Sequence, residues 1–254
     1  MRLHDTRATA IRVAQAVRDW IKSAPGTYVW LLLLLVTTFI YASLPEDARD
    51  VFLQQRSTNI DHLNSDPVHV LVGSALWTSG GGMVQYAIMF TVFHAVAERW
   101  LGTWRWLLVV AIGHVGATYL SQGLVLLGIK TGVLSESMKD VVDVGVSYGL
   151  KAVMGVLVWY LVRPWRWLYL AGVLLSVVIP FFDGVSFTDV GHFSALLLGV
   201  ACYPITRGRG TWDPVAWGRD AWRTWEARRS ATRLDTKVGT AVDFRFSRGR
   251  HAGG

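Results

Sequence analysis

A serine hydroxyl attacks a carbonyl carbon only when a neighbouring base removes its proton, and a histidine, with an ordinary pKa of about 6.5, is the usual base. Ser147 lies in the run Asp143-Val144-Gly145-Val146-Ser147-Tyr148-Gly149, which continues to Lys151, and His192 follows Asp189-Val190-Gly191. Gly145 and Gly149 would let other backbone approach the serine closely. Asp189, three residues before His192, fits two roles: orienting the imidazole as the third member of a triad, or capping a helix N-terminus. The cap is the simpler role. Asp143, Ser147 and Lys151 recur every four residues and share a face if the segment is helical. Lys151 is then either a second candidate base or, more simply, the partner of a carboxylate. Set against the nucleophile and base roles, Ser147 also reads as a small residue easing helix packing, and His192 as a satisfied polar core group.

The elements that must position these side chains follow from hydropathy. The chain has 254 residues, 52% apolar and 17% charged, with 25 Lys and Arg against 18 Asp and Glu. Its mean hydropathy of +0.34 is high for a soluble protein and points to a membrane protein. A single cysteine, Cys202, excludes an intramolecular disulfide, a redox pair and a thiolate zinc cluster. A crossing helix needs about 20 mostly apolar residues, and six windows are bounded by charge, Pro or Gly: 27–44, 83–98, 104–129, 141–162, 165–182 and 190–205. The fold class expected is all-α: a polytopic membrane bundle of six helices over 25–206, between a basic N-terminal arm (1–24) and a basic, Trp-rich tail (207–254).

Sixteen of the 25 Lys and Arg lie in 1–24 and 207–254. With the N-terminus cytoplasmic, 20 fall in cytoplasmic segments and only Arg49, Arg56, Lys130 and Lys139 in outer loops, so both termini are expected inside. Trp30, Trp100, Trp104, Trp106, Trp165 and Trp167 lie near span ends, where indoles favour the interface. The N-terminal arm is too long and charged for a cleavable signal peptide. Neither arm reads as a folded domain. In the tail Trp217, Ala221 and Trp225 share a helical face with Arg219, Arg223, Arg228 and Arg229 nearby, which suits an interfacial helix attracted to anionic lipid. After Leu234 the tail reads equally as disordered basic chain. No recognition module accompanies the charge, so no nucleic-acid partner is expected.

In that orientation the fourth and sixth helices both start at the outer face, placing Ser147 and His192 at similar shallow depths. At this point the chain resembles the rhomboid family of intramembrane serine proteases and their divergent bacterial relatives, over about residues 27–206. The family's G-x-S-G motif at the start of the fourth helix is matched by Gly145-Val146-Ser147, with Tyr148 in place of the last glycine. Its histidine early in the sixth helix, with a glycine seven residues on, is matched by His192 and Gly199, and a glycine eight residues after the serine by Gly155. Val72 to Leu76 looks like the segment before the second helix, and Glu98 with Gly102 like the pair closing it.

The resemblance implies Ser147 as nucleophile, His192 as general base, no cofactor and no metal, a transmembrane protein substrate or client, and a bacterial plasma membrane. Two departures stand out. The second-helix His and Asn that help hold the oxyanion in active members fall here on Gly82 and Tyr86 or on Met83 and Ala87, with Gln85 or backbone N–H groups as possible replacements. Lys151 stands where an aromatic ring often lies against the histidine.

The leading function is therefore hydrolysis of a peptide bond in or beside a membrane segment. The alternative is a catalytically inactive rhomboid-like protein that binds such segments. A proton-coupled transporter using the intramembrane charges would show internal repetition of spans, and the sequence has none. His94, Glu98 and His114 read as an inter-helix hydrogen-bond network, and the acidic first outer loop, with His62 and His69, as solvated surface.

Overall fold

The computed structural model describes residues 2–78, 82–227, 229 and 230, with side chains from residue 9 onward. The expectations for Arg228 and for residues 231–254 fall outside it. Residues up to Thr211 form one compact unit and those from Trp212 a second.

In the first unit the helices run in order as α1 (Arg2–Lys22), α2 (Pro25–Ser43), α3 (Glu46–Gln54), α4 (Ile60–Ser65), α5 (Pro67–Ser74), α6 (Met83–Met89), α7 (Ala95–Leu101), α8 (Thr103–Lys130), α9 (Val146–Val156), α10 (Trp165–Val178) and α11 (Phe187–Ala201). A π-helical turn, Phe90–His94, fuses α6 to α7, and 3₁₀ turns extend α9 to Tyr160 and α10 to Asp183. The described residues include no β-strand.

Among the described residues three helices are long and apolar enough to cross a membrane: Pro25–Ser43, Thr103–Lys130 and Trp165–Asp183. They match the first, third and fifth windows of the sequence within a few residues. The fourth and sixth windows give shorter helices, Val146–Tyr160 and Phe187–Ala201. Fifteen residues rise about 22 Å, less than the roughly 30 Å of hydrocarbon in a bilayer. The fourth is shorter than its window because residues 141–144 lie outside any helix and are hydrogen-bonded to a distant loop.

Two regions outside the six windows are also helical. The N-terminal arm is one helix, α1, and the first loop folds into α3, α4 and α5. The acidic residues of this loop are exposed, as expected, while Ser57, Thr58 and Asn59 are buried, and the Asn59 side chain caps α4 by accepting from the His62 N–H. Trp30 and Trp106 make hydrogen bonds inside the protein. Trp106 is buried and donates to His94 Nδ1 at 3.1 Å, while Trp30 donates to the Ala75 carbonyl at 2.9 Å. Trp104 and Trp167 are exposed as expected of interface indoles.

The core is α8, α9 and α11, drawn together by small residues. A methyl on Gly199 would fall 2.7 Å from the Ala152 carbonyl carbon, and one on Gly155 would fall 2.9 Å from the Val200 nitrogen, so α9 and α11 touch backbone to backbone. Without a hydrophobic force between helices in lipid, such close packing is what holds a bundle. The entry to α2 is fixed by charge: the buried Glu98 carboxylate accepts from the Gly26 and Thr27 N–H groups at 2.9 and 2.7 Å and from Thr103 Oγ at 2.8 Å. A carboxylate is favoured there because the first turn of a helix leaves its N–H groups unpaired. His94, Glu98 and His114 are thus parts of hydrogen-bonded packing, His114 Nε2 lying 2.9 Å from the Leu71 carbonyl.

In the second unit residues 214–227 are helical. Trp217, Trp222 and Trp225 are exposed on it, with the Trp222 and Trp225 rings 4.9 Å apart. Plotted at 100° per residue these three fall within an arc of about 140°, opposite Arg219 and Arg223.

Candidate functional site

Ser147 sits in the first turn of α9, and the chain entering that turn is fixed on three sides. The Asp143 N–H donates to Ser57 Oγ at 2.7 Å, and its carbonyl accepts from the Thr58 N–H and hydroxyl at 3.0 and 3.2 Å. The buried Asp143 carboxylate accepts from Gln122 Nε2 at 3.3 Å and from the Tyr148 hydroxyl at 3.1 Å. Gly145 donates to the Ser74 carbonyl at 3.1 Å, and a side chain there would collide with the His114 ring. Asp143 is therefore an anchor. It lies before α9 rather than on it, so the stripe expected for Asp143, Ser147 and Lys151 reduces to Ser147 and Lys151, one turn apart.

His192 sits near the start of α11, whose first turn is closed by a capping box. Ser186 Oγ accepts from the Asp189 N–H at 3.1 Å, and the Asp189 carboxylate accepts from the Ser186 N–H at 3.0 Å and from its hydroxyl. Of the two roles open to Asp189, the carboxylate is engaged in the cap.

Ser147 and His192 line one cavity of about 460 Å³. The other walls come from Leu150, Lys151 and Met154 of α9, Gln85, Tyr86 and Met89 of α6 with Gly82 at its cap, Phe93 and Ser176. His192 Nε2 is buried and without a hydrogen-bond partner, and no hydrogen bond joins it to Ser147 among the described residues. Also among the described residues, no three His, Cys, Asp or Glu side chains are grouped as a metal site.

A scan against family models matches residues 19–212 to the model described as rhomboid-like protein. The chain belongs to the rhomboid-like protein family. Neither a curated protein nor a solved structure matches it significantly. With the apolar helices, family membership makes the chain a membrane protein.

In this rhomboid-like protein the two departures near Ser147 are connected. The ring set against the histidine comes from Tyr148, whose plane meets that of His192 nearly edge-on, 77° apart with centroids at 5.6 Å. Gly191 makes the room, since a side chain there would run into the Tyr148 ring. The aromatic thus stands one residue after the serine, where the resemblance led to the expectation of one four residues after it. The signal was present in the sequence as Tyr148 for glycine, Lys151 for an aromatic, and a glycine directly before His192.

In the second helix Gly82, Gln85 and Tyr86 line the cavity, and Met83 packs with Tyr86 against the apolar cluster around Leu34 and Phe90. Gly82 begins α6 with φ of +76°, a left-handed conformation that costs a non-glycine residue about 1–2 kcal/mol. The glycine therefore shapes the turn and supplies no donor. Gln85 was noted in the sequence only as a substitute, and Ser176 was not singled out.

Lys151 departs from its simpler expected role. Its ammonium donates to Ser176 Oγ at 3.3 Å and lies within 4 Å of no carboxylate among the described residues. Of the carboxylates open to it, Asp143 is held by Gln122 and Tyr148, and Asp189 by the Ser186 cap.

Proposed function

We propose that this rhomboid-like protein is an intramembrane serine endopeptidase acting through Ser147 and His192. What supports this is the shared cavity. Two helices in backbone contact bring one hydroxyl and one imidazole to it, and among the described residues no group hydrogen-bonds the imidazole Nε2. Ser147 Oγ attacks the scissile carbonyl carbon while His192 Nε2 takes its proton. The tetrahedral oxyanion lies against the first N–H groups of α9, which an α-helix leaves unpaired, and the Gln85 amide, which lines the same cavity, is a side-chain candidate to join them. His192 returns the proton to the leaving amine, and water, activated by the same base, then hydrolyses the acyl-serine.

The bundle in this proposal crosses the membrane six times, with both termini cytoplasmic and the cavity opening toward the outer face of a bacterial plasma membrane. The expected partition of 1–24, 25–206 and 207–254 goes with it, and the tail helix rests in the lipid headgroup region. Cleavage of a single-span reporter in nanodiscs is the test. The parent chain is expected to cleave and Ser147→Ala and His192→Ala to lose cleavage at least 100-fold. Unchanged cleavage by Ser147→Ala overturns the assignment.

A catalytically inactive protein that binds membrane segments is the second reading, favoured by Gly82 and Tyr86 standing where oxyanion donors are found in active members. It predicts no labelling by fluorophosphonate or isocoumarin probes. Ser147-dependent labelling counts against it.

A further inference from the structure

Among the described residues the cavity is lined by one lysine and no acidic side chain. Lys151 enters it one helical turn beyond Ser147, and its hydrogen bond among those residues is to the neutral Ser176 hydroxyl. The two carboxylates that accompany Ser147 and His192 in the sequence are committed elsewhere, Asp143 to Gln122 and Tyr148, and Asp189 to the Ser186 cap. An ammonium half-buried in a membrane protein with no counter-ion is costly to maintain, and an arriving anion relieves that cost.

We propose that Lys151 forms an anion subsite, so that the preferred membrane segment carries a carboxylate close to the bond presented to Ser147. This deepens the protease reading and takes its geometry from it. Four residues of helix separate Lys151 from Ser147 by about 6 Å along the axis. An extended peptide advances about 3.3 Å per residue, so the carboxylate belongs to a residue within two positions of the scissile bond. Ser176, reaching in from α10, holds the ammonium against the cavity wall without neutralising it. The recognised group is a substrate Asp or Glu side chain. An anionic lipid headgroup offers related chemistry, and lipid composition separates the two.

The experiment uses the full chain in zwitterionic and in anionic nanodiscs. The probes are single-span, leucine-rich reporter peptides bearing a photocrosslinker and either Glu or Gln at each position through the outer half of the span. Binding is read by crosslinking to Ser147→Ala and cleavage with the parent chain. At one or two adjacent positions Glu is expected to crosslink about 10-fold more than Gln in both lipids. Lys151→Gln abolishes that preference, Lys151→Arg keeps it, and Lys151→Glu reverses it toward a Lys reporter. Equal crosslinking of Glu and Gln reporters, a preference that survives in Lys151→Gln, or one that disappears in anionic lipid overturns the proposal. Equal cleavage of both reporters by the parent also overturns the subsite while leaving the protease reading in place. A Lys151-dependent binding preference with no cleavage does the reverse.

Discussion

Replacing Gly199 by alanine tests whether the α9 and α11 contact sets the site. The new methyl would fall 2.7 Å from the carbonyl carbon and 2.8 Å from the Cα of Ala152, with the carbonyl oxygen closer still. An ordinary contact starts near 3.4 Å, and the obstacle is backbone, so the helices must separate by about 0.7 Å or more there. Overpacking of this kind costs about 1–3 kcal/mol, equivalent in a chain of this size to a fall of roughly 2–12 °C in Tm. His192 lies two turns before Gly199 and moves with it, and a displacement near 1 Å at a catalytic group can cost about 100-fold in rate. Gly172 on α10 is the control, because nothing lies within 4 Å of a methyl placed there. Gly172→Ala should match or slightly exceed the parent's stability, by up to about 1 kcal/mol of helix propensity. Both variants are measured in the same detergent by thermal unfolding and by reporter cleavage. If Gly199→Ala melts and cleaves as Gly172→Ala does, the contact does not position the site.

Glu98→Ala leaves two buried N–H groups without their acceptor, at about 1–3 kcal/mol each. Thermal unfolding should show a larger loss than for Gly199→Ala, with Glu98→Gln between them. Tyr148→Phe removes one hydrogen bond to Asp143, worth about 1 kcal/mol, but keeps the ring against His192. Its cleavage should stay within a few-fold of the parent, whereas Tyr148→Ala should fall much further, and equal activities would deny the ring its role. For the tail helix, tryptophan quenching by brominated lipid in nanodiscs should decrease in Trp222→Ala and Trp225→Ala. Unaltered quenching would place those indoles away from lipid.

The parts of the fold legible in the sequence were those written as long runs. The five leucines from Leu31 to Leu35 and the 28-residue α8 appear close to where hydropathy put them. Ser147 and His192 were legible as a pair because residue type and helix order both pointed to them, and they line one cavity. What hydropathy could not convey was backbone hydrogen bonding over long separations. Asp143 looked helical because four-residue spacing linked it to Ser147, but its N–H is bonded to Ser57 and it lies ahead of the helix. Lys151 was assigned a carboxylate by charge economy alone, and the carboxylates proved to be used in an anchor and a cap. Tyr148 was hidden for another reason: its role depends on Gly191 on a different helix, and a motif read along the chain does not register that complementarity.

The hydrogen bonds from Ser57 and Thr58 to Asp143 bear on the order of events during synthesis. The loop that anchors the serine is made some 86 residues before its partner, which at about 5–20 residues per second is several seconds earlier. That loop must wait, with its buried hydroxyls unengaged, until α9 is threaded into place. His192 follows forty-five residues after Ser147, on the last of the core helices. A nascent chain stopped before that point holds a seated serine and no base. Under the proposed mechanism, then, the newly inserted chain cannot attack neighbouring membrane segments, its own included, until α11 has docked and the bundle is complete.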